Sequence, residues 1–316
     1  MIRVSKAKPR YGWHISAIAT IAVAVYLGTG WVKSWVAEDG ILLSASAAIL
    51  IDAETGEVLY EKNAHEALPP ASMSKMMTEI IVLDQIREGT IQWGDSVTAS
   101  LYAENVPGSQ MGLSAGQALT IRELFDAMTI YSANDAAVAL AEHISGTEES
   151  FVALMNEKGR RIGLSGVSAF GNSTGLSRTD IAPLPGASHK RDTALTARDT
   201  AMLAGYLIGK YPEVLAVTSQ GSVKVSTQGK TLSATNLMLE DKPFAYPGND
   251  GLKTGYTPNA GYCFTGTAKR NGKRLISVVM GAKTMETRFL ETMQLYELGF
   301  SSGVGSGLKA AIGNSN

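Results

Sequence analysis

The sequence predicts an α+β fold, an antiparallel sheet with flanking helices and a helical lobe inserted in its middle. Three observations carry that expectation. Strand-like segments lie towards both ends, a hairpin pattern within 47–60 and short pieces alternating apolar and polar residues over 221–270. Segments of helical periodicity fill the middle. Turn and cap signals such as Thr120-Ile121-Arg122-Glu123 and Asn271-Gly272 punctuate the boundaries.

In chain order, Ala47 to Asp52 and Glu57 to Tyr60 flank Thr55-Gly56 and read as a β-hairpin. A helix opens at Ser72 and runs to about Arg87, and Met73, Met76, Met77, Ile80, Ile81 and Leu83 give it an apolar face suited to core packing. Residues 89–120 are rich in glycine and read as loops. The capping box at Thr120 starts a helix to about Tyr131, and further helices follow at about 134–145, 148–163 and 197–210. A polar stretch between Leu176 and Thr196, with Pro183 and Pro185, reads as a surface insertion. Tyr262–Arg270 and Arg274–Gly281 form a hairpin around Asn271-Gly272, and Glu286 to Leu298 is a closing amphipathic helix. The tail at 301–316, rich in Gly and Ser, is expected to be disordered.

The 316 residues have a net charge of −1, with 45% hydrophobic and 18% charged residues. That is a globular composition with ample core material and no case for binding nucleic acid. The single Cys263 excludes an intramolecular disulfide framework, and its apolar surroundings make it a small buried hydrophobe. Arg3, Lys6, Lys8 and Arg10 precede an apolar run from Trp13 to Val32, and no acidic residue appears before Glu38. Residues 1–37 are therefore expected to be a signal peptide or an N-terminal signal-anchor, which makes the protein extracytoplasmic and, if uncleaved, membrane-attached.

Chemistry enters at Ser72-Met73-Ser74-Lys75, where a serine and a lysine three positions apart share one helix face. A hydroxyl is a poor nucleophile until a base takes its proton, and a lysine one turn away can be that base. Ser132-Ala133-Asn134 and Lys253-Thr254-Gly255 follow in order, the last entering a strand-like run. Each motif is weak alone; together they form the signature of penicillin-binding proteins and β-lactamases. Their surroundings, including Asn172-Ser173-Thr174-Gly175-Leu176, Thr196-Ala197-Arg198-Asp199 and Ala260-Gly261-Tyr262-Cys263, resemble the D-alanyl-D-alanine carboxypeptidases of peptidase family S11 over about residues 45–300.

The resemblance implies a DD-peptidase/β-lactamase-like fold and removal of the terminal D-alanine from peptidoglycan pentapeptide stems, with β-lactam antibiotics as covalent inhibitors. Ser72 is the expected nucleophile, Lys75 its base and Ser132 a proton relay to the departing D-alanine. Asn134 would orient Lys75 and the substrate amide. Lys253 and Thr254 suit the substrate carboxylate, and Gly255 would leave the strand bare for substrate. Arg288 matches a family arginine near the carboxylate pocket, with an exposed helix arginine as the plain alternative. The histidines His65, His143 and His189 lack ligand spacing, so neither metal nor cofactor is expected.

Three other readings compete. A β-lactamase needs a glutamate-positioned water, typically in Glu-x-x-Leu-Asn, and no such segment lies between Ser132 and Lys253. A DD-endopeptidase acting on cross-links would differ only in loops. A non-catalytic wall-binding protein would have lost a motif residue, and all are present.

Overall fold

The computed structural model describes residues 41–312. The expected hairpin is present as β1 (Ala47–Asp52) and β2 (Val58–Lys62), antiparallel, with a bulge between Leu50 and Ile51. The final strands β7 (Asn249–Thr257), β8 (Gly261–Arg270) and β9 (Lys273–Ala282) complete a five-stranded antiparallel sheet in the order β2-β1-β9-β8-β7. The first strand thus pairs with the last, Ala47 opposite Met280 and Asp52 opposite Leu275, while β7 is an edge. Asn271 (φ 50°) and Gly272 (φ 83°) are both left-handed, as a two-residue type I′ turn demands.

Both faces of the sheet are covered. The helix α7 (Ala197–Lys210) brings Gly205 to within van der Waals reach of Ile276. The closing helix α9 (Met285–Ile312) brings Gly299 so close to Leu275 and Leu50 that a Cβ there would lie 2.6 Å from a Leu275 methyl. Leu275 and Ile276 are consecutive in β9 and point to opposite faces, so the two helices lie on opposite sides.

Everything between β2 and β7 builds the lobe. A 3₁₀ turn (Ala71–Ser74) leads into α1 (Lys75–Glu88), which ends at left-handed Gly89. The loops expected at 89–120 contain β3 (Ser96–Thr98), α2 (Leu101–Asn105) and β4 (Ala118–Thr120). The Thr120–Glu123 capping box opens α3 (Ile121–Asp126), which widens into a π turn at Ala127–Tyr131. Next come α4 (Asn134–Ser145), α5 (Glu148–Ile162), α6 (Arg178–Ile181), α7, α8 (Val214–Thr218) and the small hairpin β5 (Ser222–Val225) and β6 (Lys230–Ser233). Met73, Met76, Met77, Ile80 and Ile81 are buried in the core, as their spacing predicted.

Two expectations are corrected. The tail from Ser301 was expected to be disordered, but α9 continues through it to Ile312. Extending an existing helix needs no new nucleus, so Gly and Ser cost only their propensity, roughly 0.5–1 kcal/mol each for the glycines. The stretch 176–196 is not wholly a surface insertion. Ile181, Ser188, Thr193 and Leu195 are buried, and Leu195 bridges to Leu68. Its few apolar residues and its backbone pairing outweigh the polar composition. The signal or anchor expected at 1–37 lies outside the described residues. Among those described, no helix is long and apolar enough to cross a membrane.

Candidate active site

The 3₁₀ turn before α1 presents Ser72. Ala71 there is left-handed (φ 48°), a conformation costly for a residue with a Cβ and held only where the surroundings impose it. Its neighbours Ala71, Met73, Ser74 and Lys75 are all buried, whereas Ser72 is partly exposed. The turn thus offers a single hydroxyl outward.

Lys75 is fully buried, and its Nζ lies 2.8 Å from Ser72 Oγ, 2.6 Å from Asn134 Oδ1 and 2.9 Å from the Thr174 carbonyl. The three contacts have the geometry that a directional base would need. A neutral amine has two N–H donors and one lone pair. Donation to Asn134 Oδ1 and to the Thr174 carbonyl leaves the lone pair for the Ser72 O–H. Burial and the nearby Lys253 hold Lys75 well below the usual lysine range, against the pull of Glu79 and Asp135.

Asn134 opens α4. Its Nδ2 donates to the Pro107 carbonyl (2.6 Å), which leaves Oδ1 facing Lys75. A Cβ on Gly108 would meet that Nδ2 at 2.8 Å, so glycine is needed beside it. Asp135 accepts from the N–H groups of Met111, Gly112 and Leu113, tying the preceding loop to the start of α4. Ser132 follows the π turn in a left-handed conformation (φ 70°) and is buried. It lies two residues before Asn134 but is not among the hydrogen-bond partners of Lys75.

The third motif lies on edge strand β7. Lys253 is buried, with Nζ 3.4 Å from the Thr254 carbonyl. Burial pushes this ammonium down, Glu79 pulls it up and Arg288 pushes it down again. Thr254 Oγ1 is 2.6 Å from Thr235 Oγ1, while the Thr235 N–H donates to the Ile130 carbonyl, so β7 is linked to the turn carrying Ser132. A Cβ on Gly255 would lie 2.6 Å from the Pro70 carbonyl and 3.2 Å from Ser72 N. The sequence reading kept Gly255 bare for substrate; its empty side is filled instead by the turn that carries Ser72. All three motifs therefore meet.

Arg288 is not an exposed helix arginine. It is buried, its Nη1 donates to the carbonyls of Gly255 (3.2 Å) and Cys263 (3.4 Å), and its Nε is buried without a partner. Burial lowers its pKa to about 10. Cys263 is fully buried, which pushes its thiol up to about 11.

Sequence reasoning assigned no role to four contributors. Thr174 acts through its backbone carbonyl, which no residue-type signal reveals. Asn172 Oδ1 shapes that segment by accepting from the Thr174 and Gly175 N–H groups. Glu148 braces it from behind, accepting from Ser173, Tyr102 and Ser188. Glu79, a buried carboxylate four residues after Lys75, was visible as an acid within an apolar stretch.

The family model for D-alanyl-D-alanine carboxypeptidase, peptidase family S11, matches residues 35–284. The chain belongs to that family. It is 36% identical over 292 residues to the D-alanyl-D-alanine carboxypeptidase DacF of Bacillus subtilis, covering 90% of this chain and 70% of that one. It is 35% identical over 269 residues to DacC of Escherichia coli, with 82% of this chain and 62% of that one covered, so it spans less than two thirds of that relative. Penicillin-binding protein D2 from Listeria monocytogenes, solved in an ampicillin-bound form, matches with a TM-score of 0.70 at 36% identity over 83% of this chain and all of that one. PBP3 from Streptococcus pneumoniae, described as a peptidoglycan synthesis regulatory factor, matches with a TM-score of 0.77 at 35% identity over 81% of this chain and 73% of that one. The fold is thus the DD-peptidase type expected from the motifs.

Proposed function

We propose that this S11 protein is a serine-type D-alanyl-D-alanine carboxypeptidase that removes the terminal D-alanine of peptidoglycan stem pentapeptides through an acyl-enzyme on Ser72. The observation that carries the reading is the buried Lys75 amine, 2.8 Å from Ser72 Oγ and steadied by Asn134 and Thr174. Ser72 Oγ attacks the carbonyl of the penultimate D-alanine as its proton passes to Lys75 Nζ. The oxyanion is met by the Ser72 N–H and an N–H of β7 beyond Lys253. Collapse breaks the C–N bond, and the departing D-alanine amine takes a proton through Ser132. Lys253, Thr254 and Arg288 hold the substrate carboxylate, and the backbone of Gly255 lies along the substrate. Water then releases the acyl group.

The same serine would be acylated by β-lactams. Slow release of that adduct is expected, because the 170–176 segment brings the site a backbone carbonyl and no carboxylate. Glu148, behind it, is already bound by Tyr102, Ser173 and Ser188. Export is part of the proposal and is supported by the basic residues ahead of Trp13–Val32.

The test is D-alanine release from a diacyl-Lys-D-Ala-D-Ala peptide by residues 40–316, with a cross-linked dimer assayed beside it. Release from the pentapeptide mimic, unaffected by chelators, is expected. Activity lost to a chelator and restored by zinc would overturn the serine mechanism, and activity on the dimer alone would make the protein an endopeptidase.

A further inference from the structure

Among the described residues, Glu79 is the fully buried acid with a side-chain oxygen left without a well-formed hydrogen bond. It stands one helical turn after Lys75 on α1, only 1% exposed, flanked by Met76, Met77, Ile80 and Ile81. Its Oε1 makes no well-formed hydrogen bond, and the group that bears on it is the hydroxyl of the equally buried Thr129 on the π turn, at most a loose contact. An unsatisfied buried carboxylate is costly, and an aliphatic residue would fill the same space without that cost. Burial raises its pKa to about 7, against the pull of Lys253, the Thr129 hydroxyl and Lys75.

The charges around it explain what it does there. Lys75 faces it from the same helix and Lys253 from β7; Asp135 on α4 acts on Lys75, and Arg288 on α9 acts on Lys253. Asp135 is engaged by three backbone N–H groups of the 111–113 loop. Among the described residues, Glu79 is the acid that acts on both lysines. The reaction asks opposite things of two buried amines, since Lys75 must be neutral to accept a proton and Lys253 charged to hold a carboxylate. Without a nearby anion, burial would tend to discharge both.

We propose that Glu79 is a positioning residue for protons, its carboxylate holding one ammonium on the Lys75–Lys253 pair so that Lys253 stays charged while Lys75 serves as base. Glu79 touches no substrate and acts only through the lysines. When Lys75 takes the Ser72 proton, the same carboxylate offsets the second positive charge. The inference rests on the carboxypeptidase reading.

The sign of the effect follows from charge. Removing a negative charge lowers the pKa of both lysines. The acid limb of the acylation profile, set by deprotonation of Lys75, moves to lower pH. The alkaline limb, set by loss of charge on Lys253, moves the same way. The experiment measures the pH dependence of acylation by a fluorescent penicillin, and of kcat/KM on the diacyl tripeptide, for the parent, Glu79→Gln and Glu79→Asp. Both limbs of Glu79→Gln should slide acidward by roughly one pH unit. Glu79→Asp, which keeps the charge but withdraws it by a methylene, should move less in the same direction. Profiles that fall in height without moving, in both variants, would overturn the proposal. If Glu79→Gln does not fold, the Glu79→Asp profile decides alone, a smaller acidward shift supporting the proposal and an unmoved profile overturning it. A parent protein that penicillin does not label at Ser72 would instead overturn the carboxypeptidase reading itself.

Discussion

Helix α1 carries two buried charge clusters, and they are built on opposite rules. Near its end, Asp84 Oδ1 accepts from Lys210 Nζ (2.7 Å) and from the Tyr211 hydroxyl, while Oδ2 pairs with Lys158. Burial there would raise the Asp84 carboxyl, but the bonds from Lys158, Lys210 and Tyr211 outweigh it and hold the group below its usual range. Lys210 is pushed up in turn by its bond to Asp84. Each oxygen of Asp84 has a cation in contact, and Asp84 and Lys210 hold each other in the ionised form. At the start of the helix, Lys75 and Lys253 are buried with no carboxylate within contact distance, and Glu79 is left with an oxygen that makes no well-formed hydrogen bond. All three are pushed towards neutrality. A saturated cluster fixes protons and holds elements together; an unsaturated one leaves a proton free to move.

Substitutions at the two ends of α1 should therefore separate activity from stability. The largest expected effect is at Lys75. Lys75→Arg keeps a cation but cannot be deprotonated, so penicillin acylation and peptide turnover should both fall about 10³-fold or more. Stopped-flow acylation and D-alanine release would show this, and parent-like acylation would remove Lys75 from the mechanism.

Lys253→Ala comes next. A charge-assisted contact with a carboxylate is worth about 1.5–3 kcal/mol, or roughly 10- to 200-fold in kcat/KM. The loss should exceed that range, because Lys253 also helps keep Lys75 neutral. Arg288→Ala should stay within it, and should cost more on the acid substrate than on its amide, since its Nε is left unpaired for an anion. Equal losses on acid and amide would reduce Arg288 to a brace for the carbonyls of β7 and β8.

How much of this could be read beforehand followed the range of the interactions. The Ser72–Lys75 spacing, the Thr120 capping box and the Asn271-Gly272 turn are local patterns, and each formed where its residues predicted. The partners of Lys75 are less local: Asn134 is 59 positions away and Thr174 is 99. Asn134 was named through its motif, but a backbone carbonyl leaves no mark in residue type. The reason for Gly255 was misread because the atom that fills its empty side belongs to Pro70, on another element. Arg288 looked ambiguous because helical spacing alone does not say which side the sheet covers.

The smallest effect on chemistry should come from the saturated cluster. Asp84→Ala strands Lys158 and Lys210, and breaking a buried pair costs about 3–5 kcal/mol. Lys210 keeps 35% of its side chain exposed, so about 2–3 kcal/mol is expected. Chemical denaturation should register that loss, while kcat/KM of the folded protein stays within about threefold, as expected for a site outside the catalytic network. A collapse of kcat/KM with little change in stability would erase the distinction between the clusters.

The central claim is that Lys75 is neutral when Ser72 attacks. It is tested most directly by the pH dependence of the acylation rate at Ser72, with the adduct located by mass spectrometry. The rate should reach half its plateau well below the value of about 10.4 of a free lysine, and this limb should vanish in Lys75→Arg. A rate that rises only near pH 10, or a limb that survives in Lys75→Arg, would contradict the claim.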